Sequence, residues 1–547
     1  MGAEVLLDAG AVSRCRRRVH LEHDPGMRDV PLPPPDPASE QRIADAAAHR
    51  LAIRQRLVDA SPADATWVTV PRDLPAQERA RATEQALADG VPFIWGALLP
   101  VDAEGHRRGG VELLVRSDGG YVPVLVVRHR ITDRGAGAPT TVMTDLDPHH
   151  AVADPVRKVR SQPRDQLRLA HLRRMLETTG HAPRERAYGG VIGLDADVVV
   201  WHDLAAATWP GGRTALDEYD ARFADRLAIA NAAAAGDEAL AEPSRVLECK
   251  RCPYWPTCQE KLTETRDVSL VVRGEDAMEL RRLGVSTVDA LAVRNPAEEP
   301  PITWTGGSYA DAVVLARAWL ADLTMVRKVE RVEVARADVE VDVDMESFGD
   351  SGAYLWGCLL SGADIGLEQG YHAFATWEPL PTTDEARSFA EFWTWFGEVR
   401  ARTEAAGLTF RAYCYNELAE NRWLYGSAER FREYPGIPAK AEIRSFVESD
   451  EWVDLFRVVA DQFLCSHGKG LKVVAPAAGF TWRDPEAGGE ASMRWYRDAV
   501  GMDGEAPDAV QRERLLRYNE DDVLATRALR VWMTERAMTE VPFMGDI

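Results

Sequence analysis

Cysteine is scarce in this chain: seven residues in 547, an odd number. That density excludes a scaffold held by disulfides, and thiols this few in a reducing compartment point to metal ligation or plain burial. Long hydrophobic runs are also missing. No apolar stretch reaches the ~18 residues that a membrane span needs, so no membrane partner is expected. The N-terminus, MGAEVLLDAGAVSRCRRR, puts its basic cluster after its short apolar segment and lacks a cleavage pattern, unlike a secretory signal. A cytoplasmic location is expected. Basic charge is in deficit: 65 Lys and Arg stand against 87 Asp and Glu, a net charge of −22. A uniformly basic nucleic-acid binder is thereby excluded, but local basic patches are not. Low-complexity blocks and internal repeats are absent as well.

What the chain does have is concentrated. "LECKRCPYWPTCQE" holds Cys249, Cys252 and Cys258 as C-x2-C-x5-C. A soft metal or an iron–sulfur cluster takes four ligands, so a fourth must come from elsewhere. Cys358, Cys414 and Cys465 stand singly and read as core residues. "DPVRKVRSQPRDQLRLAHLRRML" (154–176) gathers Arg157, Lys158, Arg160, Arg164, Arg168, Arg173 and Arg174. It reads as a helix whose charge either meets phosphate or pairs with nearby acids.

The length predicts several domains in an α/β, multidomain chain. A proline-rich loop at 25–39 precedes a helical stretch. "FIWGALL", "GGVELLV" and "YVPVLVV" then read as strands, and the cysteine cluster closes a first domain, 1–265. "DAMELRRLGVSTVDALAV" (276–293) reads as helix, turn, helix, with Thr287 as a cap; it resembles a helix–hairpin–helix unit within 266–300. "NPAEEPPI" (295–302) reads as a linker. A linker and helix fill 301–330, and a second α/β domain covers 331–547.

In "RADVEVDVDMES" (336–347) the alternation puts Val339, Val341, Val343 and Met345 on one strand face and Glu340, Asp342, Asp344 and Glu346 on the other. Four acids in register repel, and bound Mg2+ or Mn2+ would relieve that repulsion. In "RERLLRYNEDDVLATRALRVW", Asp522 interrupts an apolar helix face, and a buried carboxylate needs a partner or a metal. Asp521 points elsewhere.

"DME", "YNELAE" (415–420) and "YNEDD" (518–522), in that order, resemble the motif set of DEDD exonucleases in the RNase H-like fold. The resemblance implies metal ligands Asp344, Glu346, Glu420 and Asp522, with Tyr518 orienting the attacking water. Glu420 departs from the family, which has Asp there. The implied chemistry is two-metal phosphodiester hydrolysis with 3′→5′ polarity. Between the second and third motifs, Lys469, Lys472 and Arg483 are candidates for phosphate contact, and Trp482 and Trp495 for base stacking or ordinary packing.

With "GAYLWG" (352–357), this region is similar to a bacterial family of RecB-like nucleases. Those chains join an iron–sulfur, restriction-endonuclease-like domain of the CRISPR-associated or AddB type to an RNase H-like domain. The resemblance implies a fourth thiolate from Cys15, in "SRCRRRVHLEHD", and a [4Fe–4S] cluster on Cys15, Cys249, Cys252 and Cys258. Structural zinc on the same ligands, or unligated thiols, are the alternatives. The family's PD-(D/E)xK site is incomplete here. Glu112 stands at the acid's place, but Val127, Arg128 and His129 replace the acid and lysine of the core motif. Gln166 remains, with Ala170 or His171 in place of the family's tyrosine. A site with one acid holds Mg2+ poorly, so this domain is expected to bind nucleic acid without cutting it; His20, Arg128 and His129 are weaker candidates for phosphate contact. The expected partner is nucleic acid, DNA rather than RNA, delivered with the help of a repair protein. The competing expectation is a non-catalytic scaffold in which both nuclease domains have decayed.

Overall fold

A computed structural model describes residues 4–34, 37–62, 65–195, 197–486, 488–502 and 504–547. Part of the proline-rich 25–39 segment, at residues 35 and 36, lies outside the described residues, as do residues 1–3 of the N-terminus. The chain forms two compact units, 1–264 and 265–547.

The first unit is built on an eight-stranded mixed sheet. Its strands are β1 (Trp67–Thr69), β2 (Phe93–Trp95), β3 (Leu113–Ser117), β4 (Gly120–Val126), β5 (Ala138–Val142), β6 (Val152–Asp154), β7 (Tyr188–Ile192) and β8 (Val198–Asp203). Their spatial order is β1-β2-β3-β4-β7-β8-β5-β6. Alternation along β4 divides the core. Tyr121 and Leu125 pack with Leu169, Leu172 and Leu176 of helix Pro163–Thr178, while Val122, Val124 and Val126 pack with Ile53 and Leu57 of helix Pro37–Ala60. The sheet is thus covered on both faces. β4 and β7 pair in parallel, and helix Pro163–Thr178 lies in the connection between them, as a parallel pair requires.

The basic segment 154–176 is not one helix. It begins as strand, with Arg157–Val159 pairing Thr132–Arg134, and turns helical only at Pro163, whose fixed φ suits a first helical position. Much of its charge is spent internally. Arg157 pairs with Asp154 and Asp197, Arg174 with Asp220 and Glu177, and buried Arg173 with Glu177 and two backbone carbonyls.

The second unit opens with helix Glu275–Arg282, a turn at Gly284 (φ 80°) and helix Val288–Ala292, whose N-cap Thr287 accepts from the Ala290 amide. Residues 301–330 are more than a linker. They carry helix Tyr309–Leu320 and strand Met325–Arg327, which pairs with Phe463–Cys465 and joins this stretch to the same unit. The main sheet has five strands: β9 (Val339–Ser347), β10 (Ala353–Gly362), β11 (Gly370–Ala375), β12 (Phe410–Cys414) and β13 (Trp452–Asp454), in the order β11-β10-β9-β12-β13. β9, β10 and β11 form an antiparallel meander, while β12 and β13 add in parallel beside β9. β9 is therefore central. Its valines pack with Phe389, Phe392 and Phe396 of helix Asp384–Ala405. Its acidic face meets the C-terminal helix Ala509–Glu535.

The four acids of β9 do not share one fate. Arg530, fully buried, donates to Asp342 at 2.8 Å, bonds Glu340, and stacks over the Tyr413 ring at 4.1 Å. Glu340 also takes two bonds from Arg336, and these guanidiniums hold its pKa down at about 2 against the opposing effect of burial. Breaking one partner of such a buried pair leaves an uncompensated charge, at a cost of ~3–5 kcal/mol. Arg530→Met should lower stability by that order in urea unfolding followed by tryptophan fluorescence, with partial recovery when Glu340→Gln and Asp342→Asn are added. Unchanged stability would remove Arg530 as the anchor of this face.

Candidate metal centre of the C-terminal unit

Asp344 and Glu346 lie two and four residues beyond Asp342, on the same face of β9, but face no arginine. Position Asp522 of the C-terminal helix is two turns before Arg530, so the helix that neutralises one half of the strand adds an acid to the other. Asp344, Glu346 and Asp522 each offer a carboxylate oxygen within 4.8 Å of the other two; among the described residues no other trio of His, Cys, Asp or Glu does so.

Electrostatics agree with the geometry. Burial, then the charge of Asp522, pushes the Glu346 carboxyl up to about 8, with Ser492, Lys472 and Tyr354 opposing. Burial and the charges of Asp522, Glu346 and Glu420 hold Asp344 well above the ordinary carboxylate range. Asp522 is raised by burial, and Lys472, Trp482 and Tyr518 counter that rise. Three acids that cannot all ionise cheaply make a site that a hard divalent cation would stabilise.

Glu420 stands outside the trio, on helix Leu418–Arg430. It is buried, its Oε2 lacks a hydrogen-bond partner, and its carboxyl is pushed to about 8 by burial and by Asp454 and Glu346. A buried carboxylate oxygen left without a donor is costly, so this atom fits a cation. Asn416 begins the same motif in a left-handed conformation (φ 72°), with its amide on Asp454 at 2.9 Å. Asp454 in turn caps helix Leu455–Gln462 through the Phe456 amide.

The other predicted residues separate. Tyr518 is buried beside the trio, and its hydroxyl accepts from Lys472 Nζ at 3.0 Å. Lys472 lies over the Tyr518 ring, 4.5 Å from its centre, which places it beside the acid site. Arg483 is committed to Asp521 and Glu520, which answers where Asp521 points. Lys469 donates to the Ala460 carbonyl. Trp482 donates its indole N–H to Asp522 at 2.6 Å, and Trp495 is buried under Arg514. Neither tryptophan is a free stacking platform.

Two residues escaped sequence reasoning. Asn519 Nδ2 donates to Asp344 Oδ2 at 2.7 Å, while its Oδ1 accepts from Tyr371 at 2.7 Å. Gly357 sits opposite Asp344 in the β9–β10 register, and a Cβ there would lie 1.6 Å from Asn519 Oδ1. Glycine is what lets the asparagine reach the aspartate. The Asn in "YNEDD" was the available signal.

In the first unit, most of the positions singled out in the sequence have partners within the fold. Gln166 accepts from the Trp209 indole at 2.8 Å, His129 pairs with Asp165 at 2.8 Å, and Arg128 pairs with Asp45 at 3.0 Å. His171 is fully buried between Tyr219 and the Arg108 carbonyl, with burial lowering its pKa to about 4. His20 is buried near Asp24. Glu112 is buried, and Arg164 and Arg168 line a cavity of about 670 Å³. Cys358 and Cys414 are buried as expected, whereas Cys465 is half-buried.

Residues 428–534 match the RNase_H_2 model of the RNase_H superfamily. The second unit therefore contains an RNase H-like domain, and the match points to a nuclease-type function in nucleic-acid processing. The matched stretch holds Tyr518, Asn519 and Asp522, while Asp344 and Glu346 precede it and reach Asp522 through the fold. Searches of curated proteins and of solved structures return no match.

Residues that fix a ligand's orientation typically contribute 10–100-fold to metal affinity. Asn519→Ala and Gly357→Ala should each weaken Mn2+ binding by about that factor in calorimetry. Wild-type affinity in both would remove Asn519 as the residue that orients Asp344.

Proposed function

We propose that the protein is a metal-dependent nuclease whose hydrolytic centre is the carboxylate cluster of the second unit, acting as a 3′→5′ exonuclease. The observation that carries this reading is the contrast along β9: Glu340 and Asp342 bond to Arg530, whereas Asp344 and Glu346 crowd against Asp522 with only the more distant charge of Lys472 opposing them. A decayed site gives no reason to keep three mutually repelling carboxylates in contact. The non-catalytic reading of this unit is weaker for that reason.

Bound Mg2+ or Mn2+ would supply Lewis acidity and a lowered water pKa. Asp344, Glu346 and Asp522 offer the anionic oxygens, and Glu420 adds an unpartnered fourth. Asn519 holds Asp344 in one orientation. Tyr518, with its hydroxyl beside Asp522 and its ring under Lys472, orients the attacking water. Lys472 offsets part of the negative charge and adds a cation for the phosphate. The longer Glu420, in place of Asp, reaches from its helix to the same centre. Exonuclease polarity and the preference for DNA over RNA rest on the family resemblance.

The first unit is read as a nucleic-acid-binding platform of the RecB-like, restriction-endonuclease-like type that no longer cuts. A [4Fe–4S] cluster on Cys15, Cys249, Cys252 and Cys258 would close it. The Cys15 amide donates to Glu248 at 2.7 Å, bringing both ends of this unit together at the thiols. Burial and neighbouring thiols raise the Cys249 and Cys258 pKa, a crowding that a thiolate-binding centre relieves. A cytoplasmic setting, with a repair protein as partner, fits a reduced cluster of this kind.

Three measurements test these readings. With Mn2+, purified protein should shorten labelled single strands from the 3′ end, and Asp344→Asn should reduce the rate by at least ~10³-fold, the scale of losing a charge-stabilising group. No cleavage of single- or double-stranded DNA or RNA would sink the enzyme. The raised carboxyls set a pH dependence. Without metal, Glu346 and Glu420 favour the folded state while protonated, a contribution present below about 4.5 and lost as pH rises through about 8. The Tm gain on adding Mn2+ should therefore grow up to about pH 8 and then level off. For the first unit, protein prepared without oxygen should be brown, with absorbance at about 400 nm; a colourless, zinc-containing preparation would overturn the cluster.

A further inference from the structure

Where the incomplete nuclease site of the first unit would need a second acid and a lysine, the chain has collected arginines. Glu112 is 6% exposed, and its Oε2 has no hydrogen-bond partner. Arg168 approaches it to 3.8 Å, Arg50 to 3.9 Å and Arg72 to 4.0 Å. Each separation exceeds a hydrogen bond. Three guanidiniums thus share one carboxylate without closing on it, an excess of two positive charges. Their crowding registers in Arg50, whose pKa is lowered by burial and by Arg72 and Arg168, against the pull of Glu112.

The positive surface continues. Arg168 also lines the 670 Å³ cavity with Arg14, Arg18, Arg164 and Lys250. Arg14 and Arg18 are held by Asp8, Glu22 and Glu248, so they form a fixed wall. Exposed Arg164 and half-exposed Arg168 come from the first two turns of helix Pro163–Thr178.

We propose that Arg50, Arg72 and Arg168, gathered around Glu112, form a metal-independent clamp for a backbone phosphate of a single nucleic-acid strand, with Arg164 and Lys250 receiving the next phosphates. Arginine suits this task, because its planar fork meets phosphate oxygens in pairs. Glu112 holds the three side chains near one point and tempers their charge, so that the clamp releases its strand. This rests on the platform reading of the first unit and gives it an address: guanidiniums around Glu112 would meet phosphate without a metal.

The test uses the full chain carrying Asp344→Asn, in chelator, with fluorescently labelled single-stranded DNA and RNA of one sequence. Arg72→Gln and Arg168→Gln should each weaken binding several-fold at 50 mM-scale salt and reduce the salt slope by ~0.7, one phosphate contact each. Glu112→Gln should tighten binding, whereas a merely structural ion cluster would lose thermal stability and gain no affinity. The DNA and RNA arms decide which backbone the clamp prefers. If the parent binds strands in chelator but all three variants bind equally well, the clamp is overturned and the platform survives. If the parent binds neither strand, both fall.

Discussion

The buried guanidinium of Arg530 is the interaction on which the second unit depends. A central strand carrying four acids on one face would repel itself and any helix laid across it. Arg530 resolves this for Glu340 and Asp342 and so sets how the C-terminal helix lies along β9. Two helical turns earlier, that same alignment delivers Asp522 to Asp344 and Glu346. Structural neutralisation and the carboxylate trio are therefore two ends of one register, and the acids that the helix leaves without an arginine are the ones that could hold a cation.

The first unit shows the opposite solution to a related problem. Here His129 is turned to Asp165, Gln166 to Trp209 and His171 into the core. Each of these groups has a partner within the fold, and the Glu112 carboxylate is surrounded by arginines. One unit thus clusters carboxylates, and the other gathers guanidiniums around a single acid. In a chain with a net charge of −22, that positive charge is local.

Much of this was legible in the sequence because it is periodic or local. Alternation exposed the acidic face of β9, the interrupted apolar face singled out Asp522, and turn and cap residues announced the helix pair around Gly284. What stayed hidden depends on distant register. Arg530 lies 188 residues from Asp342, and nothing in "ATRALRVW" distinguishes it from a solvated arginine. Lys472 read as a strand-binding residue because its neighbours are glycine, lysine and tryptophan, yet the fold turns it onto Tyr518. The basic segment read as one helix because charge spacing does not report strand pairing, and β-pairing of Arg157–Val159 is set by Thr132–Arg134.

Gly357 and Asn519 show how little sequence is needed to fix a catalytic geometry once the register exists. The glycine has an ordinary strand environment and no charge, but its missing Cβ is the space in which the Asn519 amide reaches Asp344. Tyr371, from β11, holds the other end of that amide. Three adjacent strands and one helix thereby constrain one carboxylate oxygen: β9 supplies it, β10 makes room, and β11 and the C-terminal helix orient its donor. An aspartate held in this way stays beside Asp522 and Glu346 instead of turning away from them. A cation entering such a site would meet oxygens already in position.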